Sequence, residues 1–347
     1  MPAPSPLPTP LPRFRRPSPG APPAPRRRPR ALGALATLLL TLGALLAPAP
    51  TAHAASIQEV TGFGSNPGAL RMFRYVPDGL PPGRPLVVAM HGCTQNASGY
   101  GTGSGWTRLA DRWGFAVLLP QQTAANNLTS CFNWFLTGDN SRGSGEALSI
   151  RQMVERMVVD LGTDRSRIHV TGLSAGGAMT AVMMATYPEV FAAGGVVAGL
   201  PYRCAQTAGT PYLCMYGSVP RTADHWGDLV RAASPHTGPW PRLTVLHGTA
   251  DYTVVPANMT ELVAQWTNVH GTDATADVSD TVAGYPHRVY HDTAGRPAVE
   301  TYSLTGMGHG QPVDPGTGTT QCGTTGAYIL DVNLCAAYHL GHTWGLG

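Results

Sequence analysis

The sequence predicts an α/β domain with a mostly parallel central sheet and helices on both faces. Three observations carry that expectation. Short runs that read as buried strands recur at residues 86–90, 115–119, 191–198 and 243–246, with a β-branched run at 168–171 and a last strand at 299–304. A run of that length without polar alternation is the pattern of a strand buried on both faces. Segments with helical spacing lie between the runs, as strand–helix–strand crossovers require. Several runs also stop at glycines carrying a serine, a histidine or an aspartate between or beside them, and open α/β sheets put their chemistry at the carboxyl ends of the strands.

The N-terminus is different in kind. Residues 1–30 hold seven arginines, many prolines and no acid, residues 31–47 are an alanine- and leucine-rich run, and Ala52-His53-Ala54 follows. A basic region, a short apolar region and an A-x-A site make a secretory signal, with cleavage expected after Ala54. The run is short for a membrane span. Removing residues 1–54 leaves 293 residues, expected to form one catalytic domain, with sixteen arginines, no lysine and twenty acids, a balance of about −4 instead of +3. The basicity belongs to the leader, so nucleic acid is not expected as a partner. The 43% hydrophobic content supplies a large core. No membrane contact after cleavage and a monomeric chain are expected.

Along the remaining chain, residues 71–76 alternate and read as an early strand, and Pro81-Pro82-Gly83 is a turn. The strand at 86–90 ends in His91-Gly92-Cys93-Thr94, residues 106–113 read as a helix, and Pro120 closes the strand at 115–119. Residues 121–145 are polar and irregular, and a loop of that length is more often functional than filler. Residues 147–161 place Ile150, Met153, Val154, Met157 and Val158 on one helical face. Residues 199–241 read as loop-rich, Pro256 opens a helix to 269, residues 271–297 are mostly polar, and a closing helix is expected from Ala327 onward.

Six cysteines, Cys93, Cys131, Cys204, Cys214, Cys322 and Cys335, follow the leader. An even count in an exported chain implies three disulfides, with fifteen pairings open to the sequence. Neighbour pairing is the expectation: Cys93 and Cys131 flank loops placed over the active site, and the other two pairs close short loops. No C-x-x-C pair is present, and neither a metal nor a cofactor is expected.

The chemistry centres on Gly172-Leu173-Ser174-Ala175-Gly176, between a β-branched run and the helical stretch 177–185. G-x-S-x-G at a strand-to-helix turn is a nucleophile elbow, and its triad partners follow in the order acid, then histidine. Asp251 follows the strand at 243–246, while Asp224, Asp273, Asp277 and Asp292 lie in less strand-like settings. His309, between glycines after the last strand, is the expected base; His339 and His342 fall in the closing helix. Backbone amides of Ala175 and Cys93 are the expected oxyanion donors. Trp134 is the candidate substrate platform, with Asn133 beside it.

Taken together, His91-Gly92-Cys93-Thr94-Gln95, Cys131-Phe132-Asn133-Trp134-Phe135, Gly172-Leu173-Ser174-Ala175-Gly176-Gly177 and Gly306-Met307-Gly308-His309-Gly310 resemble the polyhydroxybutyrate depolymerase family of esterases, which is akin to secreted feruloyl and acetylxylan esterases. The resemblance covers roughly residues 56–347. It implies an α/β-hydrolase fold, no metal, and a secreted enzyme that hydrolyses esters of short 3-hydroxyacids or of plant acids with sugars. Polymer-degrading members usually carry a linker and a binding module after the catalytic domain, and neither is read here, so soluble oligomers or amorphous polymer are expected to react faster than crystalline film. The competing readings are a hemicellulose esterase, an acyltransferase on the same fold, and a non-catalytic binding protein, which the intact Ser174, Asp251 and His309 disfavour.

Overall fold

The computed structural model describes residues 55–217 and 219–347; the leader expected at residues 1–54 lies outside the described residues. The strands are β1 (Gln58–Val60), β2 (Arg71–Tyr75), β3 (Leu86–Met90), β4 (Ala116–Gln121), β5 (Ile168–Leu173), β6 (Ala193–Val197), β7 (Arg242–Gly248), β8 (Val278–Val282), β9 (Tyr285–His291), β10 (Pro297–Leu304), β11 (Gln311–Val313) and β12 (Ile329–Asp331). The first ten form one sheet in the order β1-β2-β4-β3-β5-β6-β7-β10-β9-β8. Its centre, β4 through β10, is parallel, and the arms β1-β2 and β9-β8 are antiparallel. β11 and β12 pair separately, in parallel.

Helices cover both faces. On one side lie α3 (Gly145–Leu161), α4 (Ala175–Thr186), α7 (Ala223–Arg231) and α8 (Ala257–His270); on the other lie α1 (Ala97–Gly103), α2 (Trp106–Trp113) and α9 (Ala336–Thr343). The two-residue period of the strands divides each apolar run between the layers. Leu86, Val88 and Met90 of β3 face the first layer, and Val87 and Ala89 face the second. This explains why the runs read as continuous: every position is inside. Burying one such aliphatic side chain contributes roughly 1.5–3 kcal/mol.

The chain departs from the sequence reading in three places. The polar stretch 271–297 contains the hairpin β8-β9; the side chains of β8 are largely exposed, so the strand carries no apolar signature. The loop-rich stretch 199–241 contains α5 (Cys204–Ala208), α6 (Pro211–Tyr216) and α7, the last two opened by the side chains of Thr210 and Thr222. The helix expected from Ala327 starts only at Ala336, because Ile329–Asp331 is taken up as β12 beside β11. The cysteines bond as neighbours, Cys93–Cys131, Cys204–Cys214 and Cys322–Cys335.

Candidate active site

β3 pairs with β4 on one side and β5 on the other. The crossovers change direction there, so a crevice opens at the carboxyl ends of β3 and β5. Ser174 follows β5 and Cys93 lies three residues after β3. Ser174 has φ +56°, in the region that non-glycine residues avoid. That backbone is held by close packing: a Cβ at Gly176 would overlap the carbonyl oxygens of Met90 and His91, and one at Gly172 would overlap the Gly176 backbone. Only glycine fits at either position, so the serine hydroxyl stands at the apex of the turn, ahead of the N-terminus of α4.

Asp251 follows β7 and His309 follows β10, and these strands are parallel neighbours. The loops are tied by the Ala250 N–H donating to Met307 O (3.0 Å) and the Gly306 N–H donating to Thr249 Oγ1 (2.9 Å). His309 Nε2 lies 2.9 Å from Ser174 Oγ, and His309 Nδ1 lies 2.7 Å from Asp251 Oδ2. An ionised carboxylate only accepts, so Nδ1 carries the ring proton and Nε2 is left to accept from the serine hydroxyl. Asp251 is buried, and burial alone would push its carboxyl up. Hydrogen bonds from His247, His309 and the Val254 amide, with the charge of His309, outweigh burial and hold it well below the usual carboxylate range.

Cys93 and Ala175 line the cleft together with Ser174, and among the described residues neither backbone amide has a hydrogen-bond acceptor. Two residues that the sequence reading passed over support this region. His91 is fully buried; its Nε2 accepts from the Gln122 N–H (3.1 Å), which leaves Nδ1–H to donate to Gly92 O (2.7 Å). Gly92 O and Cys93 N–H belong to one planar trans peptide and point in opposite directions, so fixing the carbonyl also fixes the amide. Burial pushes the His91 imidazole down to about 4 against the pull of Gly92 O, so it is neutral. His247 Nε2 donates to Val254 O (2.8 Å) and lies 3.5 Å from Asp251 Oδ2, bracing the acid loop. Their signal was positional: both stand in a His-Gly pair at a strand end.

Two lobes of one cleft meet at Ser174. One, of about 230 Å³, is lined by Thr94, Gln95, Leu173, Thr253, His309 and Tyr328. The other, of about 430 Å³, is lined by Trp134, Phe135, Ala175, Leu200, Tyr212 and Val254. Cys93, Thr129, Cys131 and Met215 border both lobes. Neither lobe is lined by Asp, Glu or Arg. Larger grooves lie elsewhere, one of about 850 Å³ between residues 237–242 and 292–298, but it holds none of these groups. Trp134 reaches the cleft wall. Asn133 does not: its N–H donates to Glu146 Oε2 (2.8 Å) and its Oδ1 accepts from Asn127 Nδ2 (2.9 Å), so it is committed to holding the loop. Among the described residues no group of three or more His, Cys, Asp or Glu side chains is arranged to hold a metal, and no helix is long and apolar enough to cross a membrane.

Residues 70–283 match the family described as Esterase PHB depolymerase. The chain belongs to that family. This esterase is 54% identical over 292 residues to poly(3-hydroxyalkanoate) depolymerase C of Paucimonas lemoignei, a match covering 84% of this chain and 70% of that one. It is 35% identical over 286 residues to feruloyl esterase B of Talaromyces funiculosus, covering 80% of this chain and 78% of that one. Among solved structures, the acetyl xylan esterase from Aspergillus awamori superposes with a TM-score of 0.67 at 32% identity, over 73% of this chain and 94% of that one. The chain is an ester hydrolase on an α/β-hydrolase fold.

Proposed function

We propose that this esterase is an exported serine hydrolase that cleaves the ester bonds of short-chain 3-hydroxyalkanoate oligomers and polymers through Ser174, His309 and Asp251. The observation that carries the reading is the continuous line of hydrogen bonds from Asp251 through His309 to Ser174, facing two amides without acceptors. Ser174 Oγ attacks the ester carbonyl while His309 Nε2 takes its proton. The carbonyl oxygen, now an anion, turns to the amides of Cys93 and Ala175. The tetrahedral intermediate collapses as His309 returns the proton to the leaving hydroxyl, and an acyl-enzyme remains on Ser174. Water then repeats the sequence with His309 as base, releasing the acid. Asp251 holds the imidazole tautomer and stabilises the imidazolium. Export through the 1–54 leader accords with three disulfides.

Two features support a hydroxyalkanoate. A polyester continues on both sides of each scissile bond, and the cleft extends on both sides of Ser174. The repeat is uncharged, and so is the lining. A feruloyl ester is the second reading, because Trp134, Phe135 and Tyr212 offer aromatic surface to a planar acyl group. The test is hydrolysis of 3-hydroxybutyrate oligomers and of methyl ferulate by the purified chain and by Ser174→Ala. Oligomer cleavage that is lost in Ser174→Ala is the expected result. Ferulate release with inert oligomers would move the assignment to the second reading, and turnover by folded Ser174→Ala would remove the serine mechanism.

A further inference from the structure

Eight large hydrophobic side chains stand exposed among the described residues, and seven of them flank or line the cleft. Leu128, 94% exposed, sits between Asn127 and Thr129 of the cleft wall, and Leu136 follows Phe135. Tyr252, 85% exposed, stands between the buried Asp251 and the cleft residue Thr253. Tyr212, Leu213 and Tyr216 project from α6, the two tyrosine rings stacked 6.2 Å apart. Tyr328, on the loop entering β12, presents its ring edge-on to His309. Single exposed apolar residues are ordinary, but a set gathered from four separate segments round one opening is not.

The charge pattern is independent of that clustering. In a chain with 12% charged residues, the segments 122–138, 204–220, 252–260, 303–313 and 315–330 contain no Asp, Glu, Lys or Arg. These are the segments that carry the exposed apolar residues and most of the cleft lining. Charges resume only at their ends, at Asp139, Arg203, Arg221, the buried Asp251, Glu261, Asp314 and Asp331. An anionic membrane surface would select arginine or lysine here, and an exposed polysaccharide would not favour bare Leu128 and Leu213. A neutral, water-excluding solid would favour both.

We infer that this collar is a docking face by which the catalytic domain itself adsorbs to the surface of solid, uncharged polyester, delivering chains to Ser174. The inference rests on the proposed hydroxyalkanoate substrate and adds where the solid phase is held. Docking by apolar burial resists salt, whereas electrostatic adsorption weakens as ions screen it.

The test uses amorphous poly(3-hydroxybutyrate) film and the variant Leu128→Ser/Leu213→Ser/Tyr216→Ser/Tyr252→Ser, none of whose positions lines the cleft. Adsorption is read in the Ser174→Ala background, so it needs no turnover. We expect Ser174→Ala to adsorb equally at 0.1 and 1 M salt (on the order of tenfold different in ionic strength). The collar changes should weaken adsorption at least roughly tenfold, since each removes exposed apolar surface. In the active enzyme the same four changes should slow film erosion while kcat/KM on p-nitrophenyl butyrate and on soluble oligomers stays within about twofold. Unchanged adsorption of the collar variant overturns the inference, as does preferential binding to arabinoxylan or to anionic vesicles over film. Failure of the wild type on soluble oligomers counts instead against the proposed substrate, and the film adsorption of Ser174→Ala still decides the collar.

Discussion

Asp251→Asn separates orientation from architecture at this site. Asp251 Oδ1 accepts the N–H groups of Thr253 (2.9 Å) and Val254 (2.8 Å), and Oδ2 accepts His309 Nδ1–H (2.7 Å). Asparagine offers one oxygen and one NH2. With the oxygen toward Thr253 and Val254, both backbone bonds survive, and the NH2 faces His309. Nδ1 must then accept, which moves the ring proton to Nε2 and points it at Ser174, so the serine has no base. The flipped amide would preserve the tautomer but set its NH2 against two backbone donors. An unsatisfied buried group costs about 1–3 kcal/mol, so the orientation that keeps two bonds prevails over the one that keeps one. The expected loss in kcat is on the order of 10⁴, the size of the same change in a serine protease, or about 5 kcal/mol of barrier. The folded carboxyl lies below its unfolded value, so its contribution to stability is present above the unfolded pKa and is lost as pH falls through the folded one. The melting temperature of the variant should therefore lie below wild type at pH 7 and converge on it in acid. The assay is p-nitrophenyl butyrate hydrolysis with melting curves alongside. A folded Asp251→Asn within about tenfold of the wild-type kcat would refute the assignment of the acid.

Two further outcomes follow from buried histidines. His91→Leu keeps an apolar neighbour for Phe132, whose ring lies 5.0 Å from the imidazole, but frees the Gly92–Cys93 peptide. It should lower kcat by about 10²–10³, the effect of losing one oxyanion donor, with little change in KM; a drop in melting temperature at unchanged kcat would make His91 purely structural. His287 joins the edge hairpin to β10 through Asp280 (2.7 Å) and Glu300 (2.8 Å), with Tyr302 donating to the same Glu300 oxygen and His339 nearby. The Glu300 and Asp280 partners raise the His287 pKa against burial, so its contribution is complete below the ordinary histidine value and disappears as pH rises through the raised one. The melting temperature should fall more between pH 6 and 9, spanning the ordinary histidine value of about 6.5, in wild type than in His287→Gln; equal slopes would contradict it.

The parts of this molecule that were legible in the sequence are those where burial is two-sided or backbone geometry is forced. β3 and β4 are apolar at nearly every position, and β5 is buried at every one, because both layers cover them. The elbow was legible because glycine is required on both sides of Ser174. The hairpin β8-β9 was not, because Val278–Val282 is held mainly by backbone pairing at an edge and its side chains meet solvent. Helices α5 and α6 are five and six residues long, too short to show a period; only Thr210-Pro211, a capping residue before a proline, marked one of them. Asn133 was misplaced in the cleft because adjacency to Trp134 says nothing about direction: in an irregular segment neighbouring side chains can diverge, and here one meets the cleft and the other the interior.

The segment between β4 and α3 has no strand or helix, yet it builds one wall of the cleft. Its order has a local origin. Glu146, buried at the start of α3, accepts from the Asn133 N–H and from the side chains of Gln122 and Asn126, so three points along the loop converge on one carboxyl. Burial, with the nearby charge of Asp139, raises that carboxyl to about 8 against the hydrogen bonds from Asn133 and Gln122. The Cys93–Cys131 bond joins the loop to the amide side of the site, and Asn140 Nδ2 and Gln206 Nε2 donate to the carbonyls of Trp134 and Phe135. The Glu146 and Asn140 bonds lie inside the loop, while Leu128 and Leu136 stand exposed on it. A wall anchored at several points can keep apolar side chains facing water without collapsing onto the cleft, and, under the proposed oxyanion role of the Cys93 amide, it spares the chemical step the cost of ordering that amide when substrate arrives. The same anchoring would serve both the proposed role of Cys93 and the apolar exposure of Leu128 and Leu136 beside it.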